Sequence, residues 1–598
     1  MTGGGPVQDG LDWAHWWRLE RDLYLWDPKQ RQVRAAVSGD TIRVAGRFAV
    51  TDAAVRERIA PALLALLETE RSDDLRTAAL VGLARMGGRL GPEQRTAARA
   101  LLTRTVDDPV QEVAETAVLS LGILGDARDA PLLVSLLTET DGDAGRTDVR
   151  ARTRAFAGYG LAALAAECDD PATIQRIAAA AVEVVDRTEA NVDVQSAAAM
   201  ALGQCALPPA LTTPPADVRA GTRAESVVSR DAASRWLSER VLARQGLAPT
   251  VRAHALVATA RLAHDAAPET RDRALRALTR AAQDRELDAR ERAAAAIGLG
   301  ELLASTDEDV DAAGFDALRA QLKYGQPMER RMAIIALAHA SSRKGFGEAD
   351  LARSDRVRKV LQRGMGAGRS NDRPWYALAL GVQVHRARAA GHEPPRSTLT
   401  ALRHELDACR NASTIGAYAL GAALAGVRAE ARLREDLSAS LVDAVDRVQD
   451  PAARGHVALG AGLLGVRSAQ APMEATARGS RFQPTLLWNA SVGLSMLDVG
   501  DVTGLLLKNL GPENPNVARG ASALAVGRVG DARAEAPLLA LAKDEGAPTL
   551  PRSLAVIGLG TLAEDRALPW RVPLAHAVPY FAPTTSLWGG GRGVLDIL

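Results

Sequence analysis

At 598 residues the chain is too long for one compact core of ordinary size, so it either divides into domains or grows by repetition. Aromatic residues make up only 4% of it, while Ala, Leu, Gly and Arg dominate, a composition that argues against sheets and suits closely packed helices. The formal net charge of +1 excludes a whole-chain field that would steer nucleic acid, and the preference for Arg over Lys (only six lysines) reads as coding bias rather than phosphate recognition.

Taken from the start, Met1 is followed by Thr-Gly-Gly-Gly-Pro, with no basic-then-apolar run of a leader peptide. A tryptophan-bearing stretch follows, LDWAHWWRLERDLYL over 11–25. Residues 33–44 alternate around Ser38-Gly39-Asp40 and predict a small hairpin. From residue 53 the pattern changes to helical periodicity: IAPALLALLETE (59–70) carries apolar residues at i, i+3, i+4 and i+7. Similar amphipathic segments recur at 130–140, 271–286 and 536–545.

Each is partnered by a second phrase: small and apolar residues ending in Leu-Gly or a variant. Aligned on Leu299, Leu337, Leu380, Leu420, Leu459, Leu494, Val526 and Leu559, these phrases are spaced by 38, 43, 40, 39, 35, 32 and 33 residues. That period is one helical hairpin per unit. Links carry Gly, Pro and Asp, as at Gly125-Asp126, Asp169-Asp170-Pro171, Asp450-Pro451 and Gly530-Asp531; they stop one helix and cap the next. A glycine inside a helix costs about 1 kcal/mol against alanine, which is tolerable where a neighbouring helix must come close. The expected fold is all-α: a right-handed α-solenoid of about thirteen hairpins over 53–565, with non-repeat caps at 1–52 and 566–598.

The phrase "ALGxxGD…APLLxLL" resembles HEAT repeats, particularly the short bacterial kind shared with phycobilin-lyase-like proteins. The ends, LDWAHWWRLERDLYL and GGGRGVLDIL, resemble a group of bacterial, usually exported HEAT-repeat proteins of unassigned activity. The phycobilin-lyase-like resemblance implies, as the alternative to a scaffold, a ligand-holding lyase or chaperone. The sequence as it stands reads as soluble and cytoplasmic, or as exported if a leader is missing.

Nine of the 21 aromatics lie near the ends, including Trp13, Trp16, Trp17, Trp570 and Trp588. The expectation is that they cover the open faces of the terminal repeats. Three cysteines, Cys168, Cys205 and Cys409, lie far apart with no CxxC, and read as small core residues. The longest uncharged stretch, Asn411–Val427, is 17 residues and reads as a buried helix rather than a membrane span.

Chemical motifs are sparse. Gly460, Gly462 and Gly465 satisfy GxGxxG, but inside a repeat helix rather than between strand and helix. Asp307, Asp309 and Asp311 begin like a calcium loop, yet Ala312 replaces the turn glycine and Leu318 the closing Glu. His392-Glu393 and His404-Glu405 do not complete HExxH, and His456 reads as a packed core residue. No cofactor, metal site or catalytic set is expected.

An arginine recurs seven residues before the landmark position: Arg76, Arg154, Arg252, Arg292, Arg330, Arg373, Arg519 and Arg552. It reads as a structural ladder bonding the acidic inter-helix turns; an anion-binding surface for nucleic acid is the weaker reading. Residues 208–226 form a proline-rich insertion. The centre, 343–376, holds nine basic residues against four acidic, a local excess of five, around the glycine-rich link Gly364–Gly368. Here Arg356, Arg358, Lys359, Arg363 and Arg369, with Trp375 and Tyr376, are the candidate contact residues for an acidic protein partner. The functional expectation is a non-catalytic protein-binding scaffold with an elongated concave surface.

Overall fold

The computed structural model describes residues 12–25, 49–138, 150–187, 191–209, 229–243, 247–303, 307–341, 348–497 and 501–565. The predicted hairpin at 33–44, the insertion beyond Pro209 and the segment 566–598 with Trp570 and Trp588 lie outside them. Every regular element among the described residues is helical. After α1 (Trp13–Glu20) and α2 (Asp22–Leu25) come thirteen pairs, each an outer helix followed by an inner one. They are α3 (Ala60–Thr69) and α4 (Asp73–Arg85), α5 (Pro92–Thr105) and α6 (Gln111–Leu124), α7 (Ala130–Thr138) and α8 (Ala151–Glu167), and α9 (Pro171–Asp186) and α10 (Val192–Gln204). Next are α11 (Arg230–Ala243) and α12 (Pro249–Ala263), α13 (Pro268–Gln283) and α14 (Ala289–Leu302), α15 (Glu308–Tyr324) and α16 (Pro327–Ala340), α17 (Glu348–Ala367) and α18 (Arg373–Ala389), and α19 (Arg396–Ala408) and α20 (Ala412–Gly426). The last are α21 (Ala431–Arg447) and α22 (Pro451–Leu464), α23 (Gln470–Gly479) and α24 (Pro484–Leu497), α25 (Val502–Leu507) and α26 (Asn516–Val529), and α27 (Glu535–Lys543) and α28 (Thr549–Ala563).

The link residues act as their types dictate. The Asp170, Asp288 and Asp450 carboxylates each accept a backbone N–H of the following first turn, and Pro171 and Pro451 begin their helices where no N–H is missed. Gly125, Gly465 and Gly530 close inner helices at φ of 73°, 78° and 76°, the left-handed region where a side chain is strained. Gly460 and Gly462 are thus helical, and Gly465 is a helix cap. The three cysteines stand just past helix ends; only Cys205 is buried, whereas Cys168 and Cys409 are half-buried.

Outer helices bury one stripe. Inner helices are buried nearly all round, as in α6, which has α5 behind it and the inner helices α4 and α8 on its two sides. The chain forms two compact units. Among described residues the first comprises 12–25 and 234–433, and the second 49–233 and 434–565.

In the first unit the inner helices stack as α12, α14, α16, α18, α20. In the second they stack as α22, α24, α26, α28, then α4, α6, α8, α10: the last repeat of the chain packs on the first. The Leu-Gly phrase explains the spacing. A Cβ on Gly527 of α26 would stand 2.5 Å from the Gly558 carbonyl oxygen of α28, and a Cβ on Gly560 of α28 would stand 2.8 Å from Gly82 Cα of α4. Both junctions therefore close to glycine distance, although one of them joins residues far apart in the chain.

Charges complete this seam. Arg85 of α4 and Arg528 of α26 both donate to Glu564, whose side chain is only 2% exposed. Arg552 donates to Glu70 at 2.8 Å, Arg58 Nη2 to Glu535 at 2.9 Å, and Arg89 to the Ala563 carbonyl at 3.3 Å. The first repeat is covered by the last one, and the expectation that Trp13, Trp16 and Trp17 cover it fails. These rings are buried in the first unit instead, against α18 and α20. On α4 that face is already taken by α28, and the indoles bury their apolar area in the first unit.

Candidate functional site

Helix α17 carries the central basic segment. Arg356, Lys359 and Arg363 lie at i, i+3 and i+7 and are exposed together, with Arg369 exposed in the link that follows. Lys359 Nζ lies 2.7 Å from Asp355, while Arg356, Arg363 and Arg369 make no ion pair among the described residues. Hydrogen bonds from Lys359 and Arg358 hold the Asp355 carboxyl below its usual range.

The other candidates point inward. Arg358 is buried and bonds Asp355, Gln362 and Thr398 Oγ1, the last at 2.9 Å, tying α17 to α19. Arg353 pairs with Asp311 of α15 and lies 4.9 Å from the Phe315 ring centroid. Asp307 caps α15 by accepting from Asp309 N and Val310 N, so the calcium-like triplet is spent on a helix start and an ion pair. Arg343 and Lys344 lie outside the described residues. Residues Gly364–Ala367 are not a link but the last turn of α17; a Cβ on Gly364 would strike the Tyr376 ring at 2.5 Å.

Trp375 and Tyr376 depart from expectation: they are 1% and 9% exposed and present no ring to a partner. Tyr376 packs on Gly364 and burial pushes its hydroxyl pKa up. Trp375 meets Trp16 at 6.5 Å between ring centroids, tilted by 55°, with the Arg331 guanidinium 6.0 Å from its centroid. A large ring next to a helix start, in a chain poor in aromatics, signals core packing as readily as a hot spot; only the neighbours decide.

Most of the repeated arginines act between repeats. Arg76 bonds Asp108, Arg252 bonds Glu291, Arg292 bonds Glu329 at 2.8 Å, and Arg330 bonds Asp372 at 2.7 Å, each partner belonging to the next pair. Arg552 bonds Glu70, the next pair being the first of the chain. Arg154, Arg373 and Arg519 instead donate to backbone carbonyls of Leu137, Gly368 and Leu510, within their own pairs. These groups satisfy the open carbonyls of helix ends and lock neighbouring turns.

Sequence reasoning missed the seat of α1 and the seam. Trp13 Nε1 donates to the Ser413 carbonyl at 2.8 Å, Trp17 stacks on Tyr24 at 5.7 Å, and Tyr24 meets the His385 ring edge-on at 6.0 Å. A run of three indoles flagged the segment but not its destination. For the seam, Arg552 sits in the ladder register, but nothing in that register names Glu70 as its acid. His456 is half-buried rather than a core residue. Among the described residues no three His, Cys, Asp or Glu side chains converge to hold a metal ion, and no helix is long and apolar enough to cross a membrane.

Comparison with known proteins found one family model and several solved structures. The family model for HEAT repeats matches residues 60–152, which span α3 to the start of α8. No curated protein matches the chain in sequence. Similar solved structures include yeast importin-beta (Kap95p), at TM-score 0.38 and 13% identity over 89% of this chain and 76% of that one. The Kap95:Nup1 complex gives TM-score 0.36 and 11% identity over 90% and 87%. Kap121p bound to Pho4p gives 0.31 and 11% over 84% and 61%. The chain is an all-α solenoid of thirteen helix pairs among the described residues, of which 60–152 match the HEAT-repeat family model.

Proposed function

We propose that this chain is a non-catalytic scaffold that binds an acidic protein partner through the outward face of α17. The observation that carries the reading is the exposed row Arg356, Lys359, Arg363 with Arg369, in which only Lys359 is ion-paired among the described residues. The repeated arginines are spent on turns and helix ends, so cations left facing water in one row are available to an incoming surface. Exposed charges of this kind chiefly raise the association rate.

The test is charge reversal, Arg356→Glu with Lys359→Glu and Arg363→Glu, in one chain. All three side chains are exposed, so folding should be unchanged by circular dichroism. Association with a partner captured by the unaltered chain should slow by about tenfold at low salt and lose its salt dependence. Equal capture and equal rates with the folded variant would leave α17 a solvated face.

A further inference from the structure

We propose that the surface of α18 and α20 beneath α1 is itself a docking groove for an amphipathic helix with aromatic anchors, and that residues Trp13–Leu25 are its built-in occupant. The occupant on the page defines the chemistry the groove accepts. Trp16 lies on Trp375, Tyr24 on His385, and the Trp13 indole donates to the Ser413 carbonyl. Trp13, Trp16 and Trp17 are 6%, 2% and 1% exposed, so anchors one helical turn apart fill pockets while Arg18 stays in water.

Two observations mark this occupant as exchangeable. The first is length. The helix is eight residues long and α2 only four, too short to hold helical structure without the groove. The second is fit. The Trp17 indole N–H is buried with no acceptor among the described residues, a desolvation cost that the segment carries in its seat. Beneath it, Trp375 is a large ring flanked by the Arg331 guanidinium, the kind of pair that anchors interfaces. A partner helix that displaces α1 would gain Trp375 as its central contact. The segment then acts as an autoinhibitory plug on a second binding surface, distinct from the basic row of α17.

The probe is a fluorescently labelled peptide of residues 11–26, titrated into the full chain and into a full chain carrying Trp13→Ala, Trp16→Ala and Trp17→Ala. The peptide should bind the triple variant saturably and the unaltered chain at least tenfold more weakly, and a peptide with Trp16→Ala should bind neither. A folded triple variant that ignores the peptide, or equal binding to both chains, would overturn the proposal. If the triple variant loses its fold, amide exchange in α1 of the unaltered chain is read with and without saturating peptide; acceleration supports displacement, and unchanged exchange overturns it. A dimer of the unaltered chain that the peptide disperses would identify a second copy as the occupant and overturn a heterologous partner.

Discussion

The junction of α26 with α28 and the junction of α28 with α4 are built from the same parts, yet one follows the chain and the other closes it. Both bring glycine against glycine, Gly527 on Gly558 and Gly560 on Gly82. A ladder arginine crosses the seam, Arg552 to Glu70, as Arg76 to Asp108 crosses the α4–α6 junction, whereas Arg519 of α26 stays within its own pair. A repeat interface therefore needs matched surfaces, not a connecting link. The difference lies in charge: at the seam Glu564 takes two arginines, one from each side, whereas the comparable Arg261–Glu301 contact between α12 and α14 is a single pair at 3.7 Å.

The largest expected effect sets an interior rung against the seam. Arg292→Ala strands the Glu329 carboxylate, 3% exposed, and should cost about 3 kcal/mol. Replacing Arg85 and Arg528 together by Ala strands Glu564 in the same way and should cost about as much. Urea midpoints measure both. A seam that stands open in solution would show as a double variant indistinguishable from the parent.

Glycine contact comes next. Gly527→Ala forces a methyl into the Gly558 carbonyl, and Gly560→Ala forces one into Gly82 Cα. Overpacking of about 2 kcal/mol, less about 1 kcal/mol of gained helix propensity, leaves both variants destabilised by about 1 kcal/mol. Stabilisation by Gly560→Ala alone, read in the same melts, would separate the seam from an ordinary junction.

The smallest effect concerns an ordinary junction. Burial raises the Asp129 carboxyl to about 6 against the opposing pull of Arg99, while hydrogen bonds from Arg128 lower neighbouring Asp126 to about 2. A folded-state pKa above the unfolded one gives stability that is full below pH of about 4 and lost as pH rises through 6. Asp126 works in the opposite sense, its stability being present above pH of about 4 and lost as pH falls through 2. Asp129→Asn should therefore raise Tm at pH 7 by about a degree or two and flatten the profile between pH 7 and 5. An unchanged slope would mean that the carboxylate is already relieved by water.

Much of the fold was legible because a helical hairpin repeated thirteen times writes its period, caps and glycines into the local sequence. The link residues of Asp170, Gly125 and Gly530 were readable one by one, since capping is decided within four residues. The site was less legible. Arg356, Lys359 and Arg363 share a face by helical spacing alone, and their exposure matches that spacing. Arg358, adjacent to Lys359 and two residues from Arg356, turns inward because Thr398 of α19 stands opposite, and no local rule places α19 there.

The sequence by itself determined the pairs, their ends and the small-residue faces on which inner helices meet, because these follow from propensity and periodicity along a short window. Only the tertiary structure decided that the last repeat meets the first, that Trp375 lies under Trp16, and that Glu564 gathers Arg85 and Arg528. The seam and Trp16–Trp375 contacts join residues hundreds of positions apart, and their choice rests on which complementary surfaces the completed stack brings within contact, a quantity no local window contains.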